Sequence, residues 1–497
     1  MNFNSWQFLV FLPVVVGLYW LLPHKFRWVM LLITSYFFYM SWNAWLIILI
    51  MTTTVTAYVA SNLMKRTHSR KARKALLVAT LVICLGILIF FKYINFLLET
   101  AVGVIRLFRA EQDSIMLNVI LPVGISFYTF QTLSYVVDVY RGDFEPEPHF
   151  GYFALYVVYF PQLVAGPIER PGALLPQLHE EHTFRAEYLT EGVRWLISGF
   201  FRKVVVADFC GIFVDQVFAD LSAANSLAIF AAAFLFLIQI YNDFAGYSEI
   251  AMGSARLMGV RLTQNFDRPL ASTSFTEFFR RWHITLNVWF TEYVYIPLGG
   301  NRKGMGRKLI NALVVFALCG IWHGANWTFV LWGVTVGVFV CLETLLRKPV
   351  RRFCERRRID LSDPTIRFVR QAVVIFLFTL CSVMFRSGSI AQIGQAYAQM
   401  FTDWSIGADS IAAAMESLGM TLTDFLQLAV SFVGMAVICR LTADGARREP
   451  RLLLHERGAA VALPAYATAA FGVLTIALCW IALLINADVS GFAYFQF

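Results

Sequence analysis

Charge is what this chain has least of. Asp, Glu, Lys and Arg make up 15% of its 497 residues, against roughly 25% in soluble domains, and its mean hydropathy is +0.63. That balance excludes a water-soluble globule. Hydrophobic residues reach 58% and aromatics 16%, which excludes a disordered or low-complexity chain. The eight cysteines show no CxxC spacing and mostly stand inside apolar runs. They read as small core residues rather than as a metal site or a disulfide framework. Also missing are a Ser-centred GxSxG elbow, an HExxH helix, a GxxxxGK[ST] phosphate loop and a GxGxxG turn, so a conventional hydrolase triad, a zinc protease or a P-loop has no support.

What is present is a series of apolar runs of bilayer-spanning length or somewhat less, the signature of an all-α polytopic membrane protein. They begin with Phe8 to Leu22, which has no basic n-region before it and no small-residue cleavage site after it, so it is expected to stay as a first span. Later runs include Trp28 to Tyr39, Trp45 to Leu63, Ala75 to Leu97, Ile115 to Val139, Tyr152 to Val164, Gly192 to Phe218 and Leu227 to Tyr241. Ile310 to Trp322, Trp327 to Leu346, Gln371 to Phe385, Phe425 to Leu441 and Ala459 to Ile485 complete the series. We expect about eleven crossings, with shorter re-entrant or amphipathic helices between them around a central cavity. No fixed-period repeat is visible, and the chain reads as one membrane domain over residues 1–497, with core motifs in 121–346 and variable helices in 366–497.

The net charge is +9, and the basic excess gathers in three places: Lys65 to Lys74, Arg347 to Arg358 and Arg440 to Arg457. These loops are expected in the cytoplasm, facing anionic lipid, with no need to invoke nucleic acid. Three runs precede Lys65, which puts the N-terminus outside. Gly388 to Cys439 contains no Lys or Arg and fits an external loop leading into a span, and one further run after Arg457 puts the C-terminus outside as well.

Between Leu121 and Trp327, polar groups interrupt apolar sequence in tight clusters. Ionisable residues at membrane depth are costly and mark candidate functional sites. The sharpest cluster is Gly320-Ile-Trp-His-Gly-Ala-Asn-Trp327, where Gly320 and Gly324 permit close backbone packing, Trp322 can wall a cavity, and Asn326 adds a polar group beside His323. A buried imidazole there can take a proton from an attacking hydroxyl; it can equally be a histidine that ties neighbouring helices together. Upstream, Phe275 to Phe290 is expected to form one amphipathic, half-inserted helix carrying Arg280, His283 and Asn287 at i, i+3, i+4 steps. The competing reading is an interfacial helix with snorkelling arginines. Asp243, in a third cluster with Tyr247 and Glu249, is expected to orient an imidazole or to pair with Arg280 or Arg281. Glu169 and Arg170, in the proline-broken stretch after Pro161, are expected to pair with each other. The glycine-rich loop with Arg302, Lys303, Arg307 and Lys308 suits the phosphates of a nucleotide-bearing donor such as coenzyme A, although any cytoplasmic turn carries basic residues too. No metal site is expected, nor any tightly bound cofactor.

Taken in order, LPVGISFYTFQTLSYVVDVYRG from Leu121, PQLVAGPIERP from Pro161, YNDFAGYSEIAMG from Tyr241, FTEFFRRWHITLNVWF from Phe275, YIPLGGNR from Tyr295 and GIWHGANW from Gly320 resemble the membrane-bound O-acyltransferases. The similarity is to the branch of the bacterial alginate O-acetyltransferase membrane subunit. The resemblance implies a bacterial cytoplasmic-membrane enzyme that passes an acyl group, usually acetyl, from a cytoplasmic thioester such as acetyl-CoA or an acyl carrier toward a hydroxyl of an exported or cell-wall polysaccharide. It implies His323 as the catalytic histidine and His283 as the second motif histidine, and an extracytoplasmic SGNH-type esterase-like partner that completes the transfer. The family commonly reads DFSGYSD where this chain has Asp243-Phe-Ala-Gly-Tyr-Ser-Glu249, so Ala245 and Glu249 are given no catalytic part. Other readings are a D-alanyl carrier of the same superfamily, a transporter of lipid-linked sugars, and a non-catalytic scaffold. A transporter would spread charged groups over several helices, whereas here the unusual groups concentrate near His283 and His323.

Overall fold

The computed structural model of the chain describes residues 1–106, 108, 116–402 and 404–446, and among these every regular element is a helix. Local sequence sets the helix starts: Ser5, Ser69, Asn225, Ser274, Asn326, Asp363 and Ser389 each accept a hydrogen bond from an N–H of the first turn that follows, taking up donors that have no intrahelical partner. The helices between these caps carry apolar residues on their outer faces as well as their inner ones. Leu9, Val14, Val82 and Val433 are among the exposed large side chains, as expected where the surrounding solvent is lipid.

The protein is a polytopic membrane protein. Among the described residues six helices have the length and apolarity to cross a bilayer: Ala44–Arg66, Arg70–Arg106, Ser226–Arg256, Gly304–His323, Trp327–Arg356 and Pro364–Arg386. A seventh crossing is added if Ala408–Ser417 and Leu422–Val437, bent by 83°, count as one span. Several expected runs resolve differently. Of Ile115 to Val139, residues 116–124 are non-helical and the helix Ile125–Arg141 follows. Tyr152 to Val164 becomes the nine-residue helix Phe150–Val158, and Gly192 to Phe218 divides into Ala186–Phe200 and Asp208–Ala219 around a π-helical stretch, Phe201–Ala207. The run Ala459 to Ile485, Cys479 and the basic residues from Arg447 to Arg457 lie outside the described residues. Cys84, Cys210, Cys319, Cys341, Cys354 and Cys381 are free and buried.

Two hydrophobic clusters organise the interior. One joins the N-terminal helices to the segment from Phe127 to Leu178; the other joins Phe201 to Ile240 with Phe275 to Phe279, Trp332 and the helices beyond Val374. The 31-residue helix Ser226–Arg256, about 46 Å long at 1.5 Å per residue, belongs to both. Its residues up to Ile240 pack in the second cluster and those from Tyr241 onward in the first. Close approach fixes it in place: a Cβ on Gly246 would stand 2.8 Å from the Gly199 carbonyl of the neighbouring helix. Near this boundary runs a buried, non-helical strap, Tyr159 to Glu169. Irregular backbone is tolerated at such depth only where protein satisfies it. The Phe160 N–H donates to Ser35 Oγ at 3.1 Å, and the Ile168 N–H donates to Thr285 Oγ1 at 3.1 Å. Gly124, at φ +74°, leaves the strap room, since a Cβ there would lie 2.7 Å from the Leu163 carbonyl oxygen.

Candidate active site

The segment expected as one helix from Phe275 to Phe290 is two. Phe275–Arg281 ends at Trp282, His283 takes the left-handed conformation at φ 44°, ψ 54°, and Ile284–Phe290 begins after it. A left-handed non-glycine residue is sparsely populated and persists only when its surroundings impose it. Here Asn265 imposes it: its carbonyl accepts from the Ile284 N–H at 2.9 Å and its side-chain oxygen from Thr285 Oγ1 at 3.0 Å. On the other flank Asn287 Nδ2 donates to the Trp282 carbonyl at 2.6 Å. Asn287 therefore clamps the break from within.

The break aims the His283 ring into a box of aromatic side chains. Its centroid lies 4.6 Å from Phe244 and 5.6 Å from Trp322, with Phe127 and Phe266 beyond. The residue is 1% exposed, and among the described residues neither ring nitrogen has a hydrogen-bond partner. Burying a polar group in that state is unfavourable. A group brought in by a substrate would meet two open positions there.

His323 is the last residue of the helix Gly304–His323. Its ring lies 5.1 Å from Trp322 and meets Trp332 and Phe385 edge-on, each at 5.2 Å. The Trp322 indole is thus a near neighbour of both imidazoles. The helix bearing His323 is pressed against Trp327–Arg356 as the glycines of the motif suggest: a Cβ on Gly320 would stand 2.3 Å from the Phe329 carbonyl oxygen, and one on Gly333 2.3 Å from that of Phe316. His323 also lines a cavity of about 40 Å³ with Phe236, Ile240, Trp282, Trp332 and Phe385, a space on the order of a few water molecules. Ser382, which also lines it, already donates to the Ala233 and Thr379 carbonyls. Among the described residues no carboxylate, lysine or arginine lines the cavity.

The remaining candidates fall elsewhere. Asn326 caps the next helix through Thr328 N and donates to the Gly388 carbonyl at 2.9 Å, so its side chain serves the turn. Tyr247 stacks on Phe3 at 4.5 Å in the first cluster. Arg302, Lys303 and Arg307 are exposed and Lys308 is half-buried. They gather at the opposite end of the 20-residue helix from His323, about 30 Å along its axis.

Two expected ion pairs are corrected. Asp243 meets Lys203 at 2.8 Å, and Lys203 also holds Asp208 at 2.6 Å; Arg281 instead pairs with Glu277 at 2.7 Å, and Arg280 is exposed. The buried ammonium lies one helix over from Asp243, which sequence adjacency does not reveal. Glu169 accepts from Thr263 N and Oγ1, while Arg170 pairs with Glu292 and lies 3.9 Å from Asp138. Adjacent residues on extended chain point to opposite sides, so Glu169 and Arg170 part. Glu277 lies outside the spans. Burial works against its charge, but the Thr273 N–H and hydroxyl and the Arg281 guanidinium hold its carboxyl below the usual range. The sequence reading passed over Lys203 and Lys92, each a cation inside an apolar run, and that was the signal available for both.

The family model described as MBOAT, membrane-bound O-acyltransferase family, matches residues 146–387. A protein described as probable alginate O-acetylase AlgI from Azotobacter vinelandii is 33% identical over 100% of both chains. One of the same description from Pseudomonas aeruginosa is 35% identical over 81% of this chain and 75% of its own. The peptidoglycan O-acetyltransferase of Helicobacter pylori is 31% identical over 65% of each.

Proposed function

Since the chain belongs to the membrane-bound O-acyltransferase family, we propose that it carries an uncharged short acyl group, acetyl first, from a cytoplasmic thioester to a hydroxyl acceptor on the outer side, for O-acylation of an exported or cell-wall polysaccharide. His323 acts as the general base: an imidazole nitrogen takes the acceptor's hydroxyl proton as its oxygen attacks the acyl carbon. The new C–O ester bond forms, the C–S bond breaks, and the proton passes on to the departing thiolate. His283, with both nitrogens open, holds the acceptor hydroxyl or the carbonyl oxygen of the reacting group.

The observation that carries this reading is the pair of buried imidazoles about one indole, one of them lining a small cavity whose walls, among the described residues, hold no other titratable group. A charge-free lining favours acetyl over a D-alanyl group, whose ammonium would find no carboxylate there and would be costly to bury unpaired. The basic loop from Arg302 to Lys308 receives the phosphates of acetyl-CoA or of a carrier's arm, and the roughly 30 Å of helix between it and His323 calls for a donor that reaches in by a long, thin arm. An extracytoplasmic SGNH-type enzyme takes the acyl group on to the polymer.

The test is the polymer-bound ester content of cells lacking the gene, complemented with wild type, His323→Ala or His283→Ala at matched membrane levels, with mass spectrometry naming the acyl group. We expect acetyl esters with wild type and a loss of about 100-fold or more with His323→Ala, the scale on which a catalytic base acts. Full esterification with His323→Ala sinks the general-base assignment, and D-alanyl esters sink the cavity argument.

A further inference from the structure

The helix that presents His323 ends inside the protein, where its last carbonyls have neither a following helical turn nor bulk water to bond to. Its Gly324 N–H closes back on the Gly320 carbonyl. The next three carbonyls are served from a different helix. Tyr93 Oη donates to the Ile321 carbonyl at 3.0 Å, and Lys92 Nζ donates to those of Trp322 at 2.6 Å and His323 at 3.2 Å. Both side chains come from one π-helical stretch, Ile89–Tyr93, set in the spanning segment Arg70–Arg106. A π-turn locally shifts the register of a helix and recurs at functional sites; here it sends two neighbouring polar side chains to one helix end.

Lys92 has a further contact to Ser126 Oγ at 3.4 Å and lies 5.8 Å from the Trp322 ring. Among the described residues no carboxylate pairs with it. Its charge is met by the negative end of the Gly304–His323 helix, the arrangement that the helix dipole favours. A lone ammonium is unfavourable at this depth unless such partners meet it. It touches the carbonyls of both Trp322 and His323, the two residues around which the site is built.

Resting on the reading of His323 as the base, we propose that Lys92 is a positioning residue for it. The ammonium, with the Tyr93 hydroxyl beside it, closes the helix end by its carbonyls and fixes the turn from which the imidazole and the indole project. Lys92 does not touch substrate. Without its ammonium the last turn frays, and the imidazole departs from the attack geometry by amounts that cost turnover while the helix bundle stays intact.

The test expresses the full chain with Lys92→Met, Lys92→Arg, Lys92→Gln, Tyr93→Phe or His323→Ala in cells lacking the gene. It reads ester per membrane-embedded molecule and the thermal unfolding midpoint of the detergent-solubilised protein. Lys92→Met should lower ester formation about 30-fold, the scale of a misplaced group, with an unfolding midpoint near that of wild type. Lys92→Arg, which keeps a cation and donors, should retain about a third or more of wild-type ester. Tyr93→Phe should lower it a few-fold, and adding it to Lys92→Met should do little more, since both act on one helix end. Wild-type ester with Lys92→Met, while His323→Ala is inactive, overturns the positioning role alone; wild-type ester with His323→Ala overturns the acyl-transfer reading beneath it. If Lys92→Met does not yield folded protein, Lys92→Gln and Tyr93→Phe decide: wild-type ester in both overturns the role, and loss at an unchanged midpoint upholds it.

Discussion

At position 283 the backbone and the side chain place separate demands on the residue. The backbone needs a left-handed conformation, which Asn tolerates and β-branched residues do not; the proposed chemistry needs an imidazole among four aromatic rings. The two demands separate by substitution. His283→Asn should keep the wild-type unfolding midpoint and lose most ester formation. His283→Val should in addition be destabilised by about 1–3 kcal/mol, the cost of an unsuitable residue in a strained conformation. Equal midpoints for the two variants would show that the break is not imposed at this residue. Both histidines and Trp322 were legible in the sequence as polar or bulky groups set into apolar runs. The partner of Asp243 was not, because Lys203 is 40 positions away in the chain and only helix packing brings them together. Lys92 was visible as a lone cation but had no motif around it to say what it serves.

Among the described elements, three π-helical stretches stand out by what they carry. Ile89–Tyr93 holds Lys92, Phe201–Ala207 holds Arg202 and Lys203, and Thr291–Tyr295 holds Glu292 and Tyr293. Each side chain named has a polar partner on another element: the helix end at His323, Glu249 and Asp243, or Arg170 and Asp138. Period counting cannot find such turns, since one shifted register inside an apolar run leaves the composition unchanged. The same blindness explains why Phe275 to Phe290 read as one helix: the break depends on Asn265, and the strap at Ile168 is tied to Thr285. Close packing at Gly320 was legible, its partner Gly333 was not, and the crossing they form is testable as an element. Gly333→Leu, whose Cβ would stand 2.3 Å from the Phe316 carbonyl oxygen, should cost about 1–3 kcal/mol by overpacking and lower ester formation by displacing the helix that ends at His323. Gly17→Ala, with nothing within 4 Å of the added carbon, is the control and should behave as wild type. A Gly333→Leu protein with the stability of wild type would remove the crossing as a determinant of the site.

Over the whole molecule, charge placement and helix direction agree. Lys65 pairs with Glu145 at 2.7 Å, Arg73 reaches the carbonyls of Val139 and Tyr140, and Arg141 reaches that of Glu292. These contacts bring the first basic loop, the end of the Ile125–Arg141 helix and the approach to the Arg302 to Lys308 loop to one side. The helices Gly304–His323 and Trp327–Arg356 then run out and back, which places the Asn326 turn on the other. With the basic side in the cytoplasm, single cysteines at Arg70, Lys303 and Arg352 in a background without reactive native cysteines should be shielded from a membrane-impermeant thiol reagent in intact spheroplasts. Cysteines at Asn43 and Gly407 should react. The reverse pattern would invert the direction of transfer. The gathering of basic residues at one set of helix ends was legible in the sequence because it rests on counts of Lys and Arg, and the cysteine pattern tests which side of the membrane they face; the count of crossings was less legible, since a nine-residue helix and a buried strap are as apolar as a span.

The small aromatic cavity beside His323 bears on fidelity. Under the proposed reading of His323, a base able to deprotonate a sugar hydroxyl is equally able to deprotonate water, and water is the smaller and far more abundant nucleophile. With room for only a few molecules and walls of Trp332, Phe236 and Phe385, the pocket leaves an acyl group little company once it has entered. In that reading, how closely those rings shut around it would set the ratio of esters made to thioesters hydrolysed to no purpose.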